Sequence, residues 1–436
     1  MYLCGGKEMK ERLKEILSSR LLRDSGKLLS ANVVAQAVGL IIYPVLTRLY
    51  SQADFGLLSL FVSISNVLVL ISTLEYQYAI VITNSKQKSR AAVHLSLFLL
   101  TIFSLLLVFL LPLRHIIARW FNADGLAECM WLLPIFVLFG GIWNILNLYL
   151  TRKKRFGVIS HYKVSSSLWS AGCKLGFGYA GIWGLGLVYS TVIAPVISLL
   201  SVVTIYLRKQ VGNIFKIDYG EVISVAKEYK RLPMFSLPRA LVNCLGGSLP
   251  ALILASAFSL EELGFFSMAL MLAFMPVSTV IGSVQQVLFQ QTADAVNNHR
   301  SIKHRLYGLI RNTLFVVVPF FAILYFILPW LTELLLGAGW AQSGIYIRYM
   351  LPWLVFVCLN GLVCFVADVF MQQKIGFVFE CVILIARVIG MVVGIVSGSF
   401  TIAVIGYCVM TTLALFAQLI WFFHLINNYE KNLKSV

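Results

Sequence analysis

Charged residues are scarce in this sequence, and acidic residues are the scarcest of all. Only 12% of the 436 residues are Asp, Glu, Lys or Arg, and 18 acidic residues stand against 35 basic ones. A typical soluble protein is about 25% charged. Here 59% of the residues are hydrophobic and the mean hydropathy is +0.87. The composition therefore indicates an integral membrane protein and excludes a soluble one.

Long polar segments are also missing, so no sizeable soluble domain is expected on either side of the membrane. A helix that crosses a bilayer needs about 20 mostly apolar residues. Twelve such runs predict twelve spans, the first too long for a cleaved signal-peptide core. Their approximate ranges are 28–50, 55–80, 91–113, 129–150, 158–180, 183–206, 235–257, 262–287, 308–331, 344–369, 377–398 and 402–425.

The eight cysteines show no CxxC spacing and no clustering with other metal ligands. Most of them lie inside predicted spans, where a free cysteine behaves as a small hydrophobic residue. The sequence also has no P-loop and no pairing of a nucleophile with a base. It therefore predicts no metal site, no cofactor and no catalytic residues.

The net charge of +17 is distributed in a way that argues against a nucleic-acid partner. Of the 35 Lys and Arg residues, 26 lie in the N-terminal arm, in alternate loops and near the C-terminus. The remaining loops and span ends hold only Arg48, Arg114 and Arg119. Cytoplasmic loops of membrane proteins are enriched in Lys and Arg. The pattern predicts that both termini are cytoplasmic, and an even number of spans places them on the same side.

The domain boundaries follow from the spans. We expect a cytoplasmic N-terminal arm (1–27), an N-lobe of six spans (28–206), a cytoplasmic linker (207–234), a C-lobe of six spans (235–425) and a cytoplasmic tail (426–436). The arm is amphipathic, which fits a helix in the membrane interface or one packed under the loops. Its apolar face consists of Met9, Leu13, Ile16, Leu17 and Leu21.

A short segment occurs twice, 208 residues apart. "SQADFGLLSL" begins at Ser51 and "SLEELGFFSM" begins at Ser259. In each copy a Ser followed three residues later by Asp or Glu has the spacing of a capping box, which starts a helix. Each copy then has a glycine, Gly56 or Gly264, that allows another helix to approach closely. This indicates two parallel six-span repeats, although chance similarity between two turns is the alternative.

Six cations and three acids remain in or near the spans after the loop charges are removed. Ionisable groups in lipid are costly and usually face a cavity or one another, unless a long side chain reaches the interface. Arg387 lies about 16 Å into its span, too deep to reach the interface easily. Lys163 and Lys174 are three helical turns apart and share one face of span 5. Cations in excess favour an anionic substrate such as a phosphate or diphosphate.

The other intramembrane charges lie nearer the ends of their spans. Arg239 and Arg311 lie about one turn inside the cytoplasmic surface, where they either reach the interface or line a vestibule. Arg348 is expected to be an anchor at a span end. Three acids are the candidates to carry a coupling ion: Glu380, Asp368 and Glu75. For Glu380 the alternatives are a partner of Arg387 and an anchor at the cytoplasmic end of its span, and for Asp368 the alternative is an anchor at a span end.

Several blocks of the sequence resemble the Wzx-type O-antigen flippases, in the polysaccharide-exporter branch of the MATE-like MOP superfamily. These blocks are "YPVLTRLYSQADFGLLSLF" (43–61), "RLPMFSLPRALVN" (231–243), "EELGFFSMA" (261–269) and "GAGWAQSGIYIRYMLPW" (337–353). Capsule and other surface-polysaccharide exporters share them. One departure is "LEYQ" at residues 74–77, where relatives often have Leu-Arg-Tyr-Glu.

The resemblance implies an all-α MOP-type membrane fold with two six-helix lobes around a cation-lined cavity. It implies a flippase that moves polyprenyl-diphosphate-linked oligosaccharide repeat units across the bacterial inner membrane by alternating access, with membrane lipid around it. A polysaccharide polymerase and a chain-length regulator are the expected partners. The expected cavity cations are Arg387, Lys174, Lys163, Arg311 and Arg239.

Two other classes of protein are the alternatives. A MATE-like multidrug or small-solute exporter would have an acidic or aromatic cavity, and no acid falls in the first span here. A polymerase or ligase acting on the same lipid-linked sugars would carry a large external loop with catalytic residues. Every predicted external loop is short, so we expect no enzymatic activity.

Overall fold

Apolar runs of this length fold as helices because a bilayer leaves no other partner for the backbone hydrogen-bonding groups. The computed structural model describes residues 20–182, 184–207 and 219–434, and within these ranges there is no β-strand. The predicted N-terminal arm lies largely outside the described residues. Twelve long helices follow one another, and we number them in chain order.

The six helices of the N-lobe are α1 (Arg20–Leu49), α2 (Gln52–Ile71), α3 (Lys86–Phe109), α4 (Leu132–Arg152), α5 (Phe156–Tyr179) and α6 (Leu185–Val202). Those of the C-lobe are α7 (Leu237–Ala257), α8 (Leu260–Asn297), α9 (Lys303–Leu336), α10 (Ala341–Gly361), α11 (Gln373–Val396) and α12 (Phe400–Lys434). The linker helix Tyr219–Glu228 lies between the lobes in sequence.

Eleven of the twelve helices are long and apolar enough to cross a membrane, among the residues that the structure describes. The exception is α5, predicted as span 5. It is 24 residues long, but it carries Lys163, Lys174 and a series of serines, which lower its hydropathy. It packs between α1 and α6 inside the N-lobe. Among the described residues the bundle therefore contains twelve long helices, eleven of which are apolar enough to cross a membrane.

The two lobes repeat the same helix contacts. In the N-lobe α1 packs on α5, α5 on α6 and α3 on α4. Six helices later α7 packs on α11, α11 on α12 and α9 on α10. The repeated contacts support the duplication that the two short segments indicated. Both predicted capping boxes are formed, at Ser51 with Asp54 and at Ser259 with Glu262.

The second helix is shorter than predicted. The expected span covered residues 55–80, but α2 ends at Ile71. Leu74 and Glu75 have left-handed backbone conformations, with φ of 48° and 65°, which no α-helix can contain. After them come the turns Tyr76–Tyr78 and Ala79–Ile82. Glu75 therefore lies in a turn beyond α2 rather than inside a span.

The last helix is longer than the predicted span, which ended at residue 425. It continues to Lys434 because its end is bound to the start of α9. One carboxylate oxygen of the buried Glu430 accepts hydrogen bonds from the Ser301 hydroxyl and from the backbone N–H groups of Ile302 and Lys303, at 2.8, 2.8 and 3.0 Å. Helix N-termini carry unpaired N–H groups that such an acceptor satisfies.

The described loops that carry Lys and Arg clusters lie at one end of the bundle, which we call the basic face. The opposite face holds the turns between α1 and α2, between α7 and α8, and between α9 and α10. On the basic face the linker helix packs against α3, where Val225 is buried and Lys88 forms a 2.6 Å ion pair with Glu228. The linker helix is thereby attached to the N-lobe.

Candidate functional site

Two lysines of α5 line one cavity of about 450 Å³, which we call the lysine cavity. Its walls come from α1, α5 and α6, and Met275 of α8 closes it on the side of the C-lobe. Lys163 and Lys174 thus share a helix face, as their spacing predicted. The other polar residues of the lining are Asn32, Gln36, Tyr162, Ser166, Ser167, Ser170 and Thr191.

The lysine nearer the basic face is held in position by α1. The Lys163 ammonium donates a hydrogen bond to Oδ1 of Asn32 at 2.9 Å. Close by, the Ser167 hydroxyl donates to the backbone carbonyl of Ala35 at 2.8 Å. The small serines of α5 let the two helices approach, and the short side chains leave room in front of Lys163.

The second lysine has no such partner. Neither a hydrogen bond nor an ion pair links the Lys174 ammonium to any residue that the structure describes. The Tyr50 hydroxyl donates to the backbone carbonyl of Lys174 at 2.7 Å, which fixes this part of α5 against the end of α1. A positively charged group that lines a cavity inside a membrane protein and lacks a counter-ion is suited to binding an anion.

The lysine cavity also touches the other lobe. Gln36 of α1 accepts a hydrogen bond from the Thr279 hydroxyl of α8. Asn32, Gln36 and Gly39 follow one another at helical spacing, so α1 presents one polar stripe to the cavity. Sequence reasoning missed Asn32 and Gln36, although two amides four residues apart in an apolar span were a usable signal.

A second cavity, of about 540 Å³, lies between the lobes near the basic face, and we call it the mouth cavity. It is lined by the end of α2, the start of α7 and part of α11. Three of the predicted charged residues meet there: Glu75, Arg239 and Glu380. This cavity therefore contains two acids and one cation, unlike the lysine cavity.

The two acids of the mouth cavity have different surroundings. Glu75 is only 4% exposed, and the Gln77 amide donates to its Oε1 at 3.4 Å. Glu380 has an enclosed Oε2 without a hydrogen-bond partner among the described residues. Arg239 is close enough to Glu380 to attract it electrostatically, and Asp368 is close enough to repel it. Asp368 itself is exposed, in the short helix Val366–Val369.

Arg387 lies apart from both cavities, inside the C-lobe. Its guanidinium donates to the backbone carbonyl of Gly246 in α7 and lies 5.8 Å from the ring centroid of Tyr407 in α12. Gly246 has no side chain at the point where Arg387 approaches, and a Cβ there would lie 2.9 Å from the guanidinium. Arg387 therefore connects three helices of one lobe.

The remaining two cations lie on α9 and α10. Arg311 is exposed on α9 and lines neither cavity. Arg348 donates to the backbone carbonyls of Tyr325 and Phe326 and lies over the Tyr325 ring, so it packs α10 against α9 as an anchor. The five cations expected around one cavity are thus distributed over separate places, and only Lys163 and Lys174 are brought together.

A third cavity, of about 260 Å³, adjoins the lysine cavity through Met275, and we call it the apex cavity. It lies between α2, α7 and α8. Ser59 and Ser267, which occupy matching positions of the two repeated segments, both line it. Within the described residues no group of three or more His, Cys, Asp or Glu side chains could hold a metal ion.

The family model described as "polysaccharide biosynthesis protein" matches residues 45–344, more than half of the sequence. The chain belongs to this polysaccharide biosynthesis protein family. The matched range includes Lys163, Lys174 and Arg239 but ends before Glu380 and Arg387. No curated protein shows significant sequence similarity to the chain.

Solved structures share the fold of this polysaccharide biosynthesis protein at low sequence identity. An inward-facing multidrug-resistance MATE transporter of the MOP superfamily matches with a TM-score of 0.70 and 14% identity, over 92% of this chain and 96% of the other. The lipid II flippase MurJ in an inward closed conformation matches with a TM-score of 0.70 and 11% identity, over 95% of this chain and 92% of the other. An outward-facing MATE transporter matches with a TM-score of 0.58 and 14% identity, over 94% of this chain and 96% of the other.

These similarities establish the fold of this polysaccharide biosynthesis protein. It is a multi-pass membrane protein with the two-lobe architecture of MOP superfamily transporters and flippases. The prediction of an all-α fold with two six-helix lobes is confirmed.

Proposed function

We propose that the protein is a flippase for polyprenyl-diphosphate-linked oligosaccharide repeat units, such as O-antigen or a related surface polysaccharide. It moves them from the inner to the outer leaflet of the bacterial inner membrane. The observation that carries this proposal is the lysine cavity, in which Lys174 has no counter-ion within the described residues and Lys163 lies on the same helix face. Membership of the polysaccharide biosynthesis family supports it.

The chemistry of the lysine cavity suits a diphosphate that carries sugars. Lys binds phosphate as a point charge, and a diphosphate offers several oxygens to two ammonium groups. The hydroxyl and amide groups of the lining, from Asn32 to Thr191, offer donors and acceptors to sugar hydroxyls. The polyprenyl tail has no polar group and stays in the surrounding lipid between the lobes.

The direction of transport follows from the topology that we propose. Positive charges mark the cytoplasmic side, so the basic face is cytoplasmic and the mouth cavity opens toward the cytoplasm. The higher TM-score with the inward-facing MATE structure than with the outward-facing one supports this orientation of the opening. Arg239 lines the mouth cavity and is the cation that an arriving diphosphate meets there. After transport, a polymerase and its chain-length regulator would receive the repeat unit.

The remaining charged residues have secondary roles in the proposal. Arg387 and Arg311 face neither cavity in this conformation, so any contact with the diphosphate requires the lobes to move. Glu380 and Glu75 are the acids of the mouth cavity and the best-placed carriers of a coupling ion, with Asp368 beside Glu380. The enclosed Oε2 of Glu380, which has no hydrogen-bond partner in the part of the chain that the structure describes, favours Glu380 among the three.

A multidrug exporter is the second candidate, because a MATE multidrug transporter shares the fold. The two proposals differ in the charge of the substrate. Lipophilic cations are repelled by Lys163 and Lys174, whereas a diphosphate is attracted. A lysine-to-alanine exchange would therefore improve export of a cationic dye if the protein were a drug exporter, and would impair polysaccharide display if it is a flippase.

The proposal is tested by complementation of a flippase-deletion strain, read as the surface-polysaccharide ladder on a gel. The Lys163→Ala/Lys174→Ala double variant should lose the ladder, while Lys230→Ala, on the exposed linker, should keep it. Membrane abundance of each variant is measured in parallel, so that a loss of protein is separated from a loss of function. A full ladder from a well-expressed double variant would overturn the proposed substrate site.

A further inference from the structure

The two copies of the repeated segment pack against each other at the opposite face. Helices α2 and α8 cross there, and each contributes its glycine to the crossing. A Cβ on Gly56 would lie 1.9 Å from the backbone carbonyl oxygen of Leu260, and a Cβ on Gly264 would lie 1.9 Å from that of Gln52. The contact is therefore reciprocal, and each glycine faces the first turn of the other copy's helix.

Loops of each lobe bind the adjacent helix turn of the other lobe. From the C-lobe, the Trp340 indole donates to the Thr47 carbonyl at 3.2 Å, and the Gly339 carbonyl accepts from the Gln52 amide at 2.9 Å. From the N-lobe, the Asn122 amide donates to the Ser256 carbonyl at 3.3 Å. The loop between α3 and α4 thus forms a hydrogen bond to the C-lobe, and the loop between α9 and α10 forms hydrogen bonds to the N-lobe.

Aromatic rings fill the space beside these hydrogen bonds. Trp340 is 2% exposed and meets Phe55 of α2 and Phe265 of α8 edge to face, at centroid distances of 5.3 and 5.8 Å. The Thr47 hydroxyl also donates to the Leu336 carbonyl at 2.8 Å. We call this set of contacts the interlobe seal: Thr47, Gln52, Phe55, Gly56, Asn122, Ser256, Leu260, Gly264, Phe265, Leu336, Gly339 and Trp340.

The seal lies directly above the apex cavity. Ser59 and Ser267, one helical turn after Gly56 and Gly264, line that cavity from both lobes. The interior of the protein is therefore separated from the opposite face by the glycine crossing and the two loops. Three of the four blocks that resemble the polysaccharide exporters supply residues of the seal.

We infer that the interlobe seal is the outer gate of the transporter and that Gly56 and Gly264 are the residues that allow it to close. The hydrogen bonds across the seal use backbone carbonyls at helix ends and in loops, which water can satisfy when the lobes part. The crossing has no such tolerance, because any side chain at either glycine occupies the position of a backbone carbonyl of the other lobe. Closing of the seal therefore requires glycine, which has no side chain, at both positions.

The inference is tested by the accessibility of Ser59→Cys to a membrane-impermeant maleimide added to intact cells. Labelling should be low in the otherwise unchanged protein and should rise severalfold when Gly56→Ala or Gly264→Ala is added. Gly308→Ala is the matched control, because a Cβ there has open space around it and its helix does not reach the seal at that point. Each glycine variant without Ser59→Cys measures the contribution of the native cysteines, and labelling after denaturation gives the total.

Unchanged labelling in membrane-inserted Gly56→Ala and Gly264→Ala would overturn the inference. If these variants are not inserted, Gln52→Ala/Trp340→Phe carries the test, since it removes two hydrogen bonds of the seal without adding atoms. It should also raise labelling, and an unchanged value would again contradict the gate. The inference rests on the proposed transport, but labelling does not depend on the transported molecule. A seal that opens in a protein that moves no polysaccharide would overturn the proposed function alone.

Discussion

Single residues decide what the lysine cavity can bind. Lys163 and Lys174 lie on the same helix, but α1 holds only Lys163 through Asn32. The free ammonium is therefore that of Lys174, and its charge has no counter-ion among the described residues. A group in this position contributes its full interaction to an incoming anion, because no existing ion pair has to be broken first.

Two substitutions of Lys174 should show whether its charge or its shape determines the affinity for a diphosphate. Lys174→Ala should weaken binding of a polyprenyl diphosphate to the purified protein by about tenfold or more, because a hydrogen bond to a charged group contributes about 1.5–3 kcal/mol. Lys174→Arg should keep much of the affinity, since the charge remains. The dissociation constant is measured by titrating the purified protein in detergent with the polyprenyl diphosphate. Equal affinities for Lys174→Ala and the unchanged protein would remove Lys174 from the site.

Glu430 should stabilise the start of α9, which is far from it in the sequence. Glu430→Ala leaves the N–H groups of Ile302 and Lys303 without their acceptor, and an unsatisfied buried group costs about 1–3 kcal/mol. We expect a lower apparent Tm in detergent, with a smaller decrease for Glu430→Gln because the amide oxygen still accepts. The neighbouring Lys431→Ala is the control. No change in Tm for Glu430→Ala would show that α12 does not stabilise the start of α9.

At the scale of elements, the sequence predicted well wherever a local signal was present. Both capping boxes and nearly all the helices could be identified, because capping spacing and apolar length act within one segment. The end of α2 could not, because two non-glycine residues, Leu74 and Glu75, adopt the left-handed conformation that usually requires glycine. The extension of α12 to Lys434 was missed because Glu430 binds residues about 130 positions away.

The orientation of each helix about its own axis could not be predicted from the sequence. The depth of Arg387 in its span was estimated from the rise per residue, and the prediction placed it in the cavity. The structure instead turns it toward α7 and α12. Lys163 and Lys174 were paired correctly because their relation depends only on helical periodicity within α5.

The contact between α11 and α12 depends on two glycines. A Cβ on Gly390 or on Gly406 would lie 2.2 Å from the backbone carbonyl oxygen of the other residue. Small residues allow helices in membranes to pack closely. Gly406→Ala should therefore lower the apparent Tm and the yield of folded protein in size-exclusion chromatography. Gly376→Ala, where the nearest atom to a new Cβ is 3.8 Å away, should leave both unchanged. Equal behaviour of the two variants would contradict this packing argument.

For the whole molecule, the charge distribution predicts that both termini lie on the cytoplasmic side. Of the 35 Lys and Arg residues, 26 lie on the basic face or in the N-terminal arm and linker. Reporter fusions after Asn122 and after Lys209 should therefore report the periplasm and the cytoplasm respectively. Two fusions that report the same compartment would contradict the predicted topology and the parallel arrangement of the two lobes.

We propose that this chain moves a lipid-linked diphosphate through a cavity lined by Lys163 and Lys174. The most direct measurement uses the purified protein in liposomes with a polyprenyl-diphosphate-linked oligosaccharide, and follows the sugar as it becomes accessible to an external glycosidase. We expect protein-dependent exposure of the sugar that is lost in Lys163→Ala/Lys174→Ala and retained in Lys230→Ala. Exposure at the same rate in the double variant, or no exposure with the unchanged protein, would contradict the proposal.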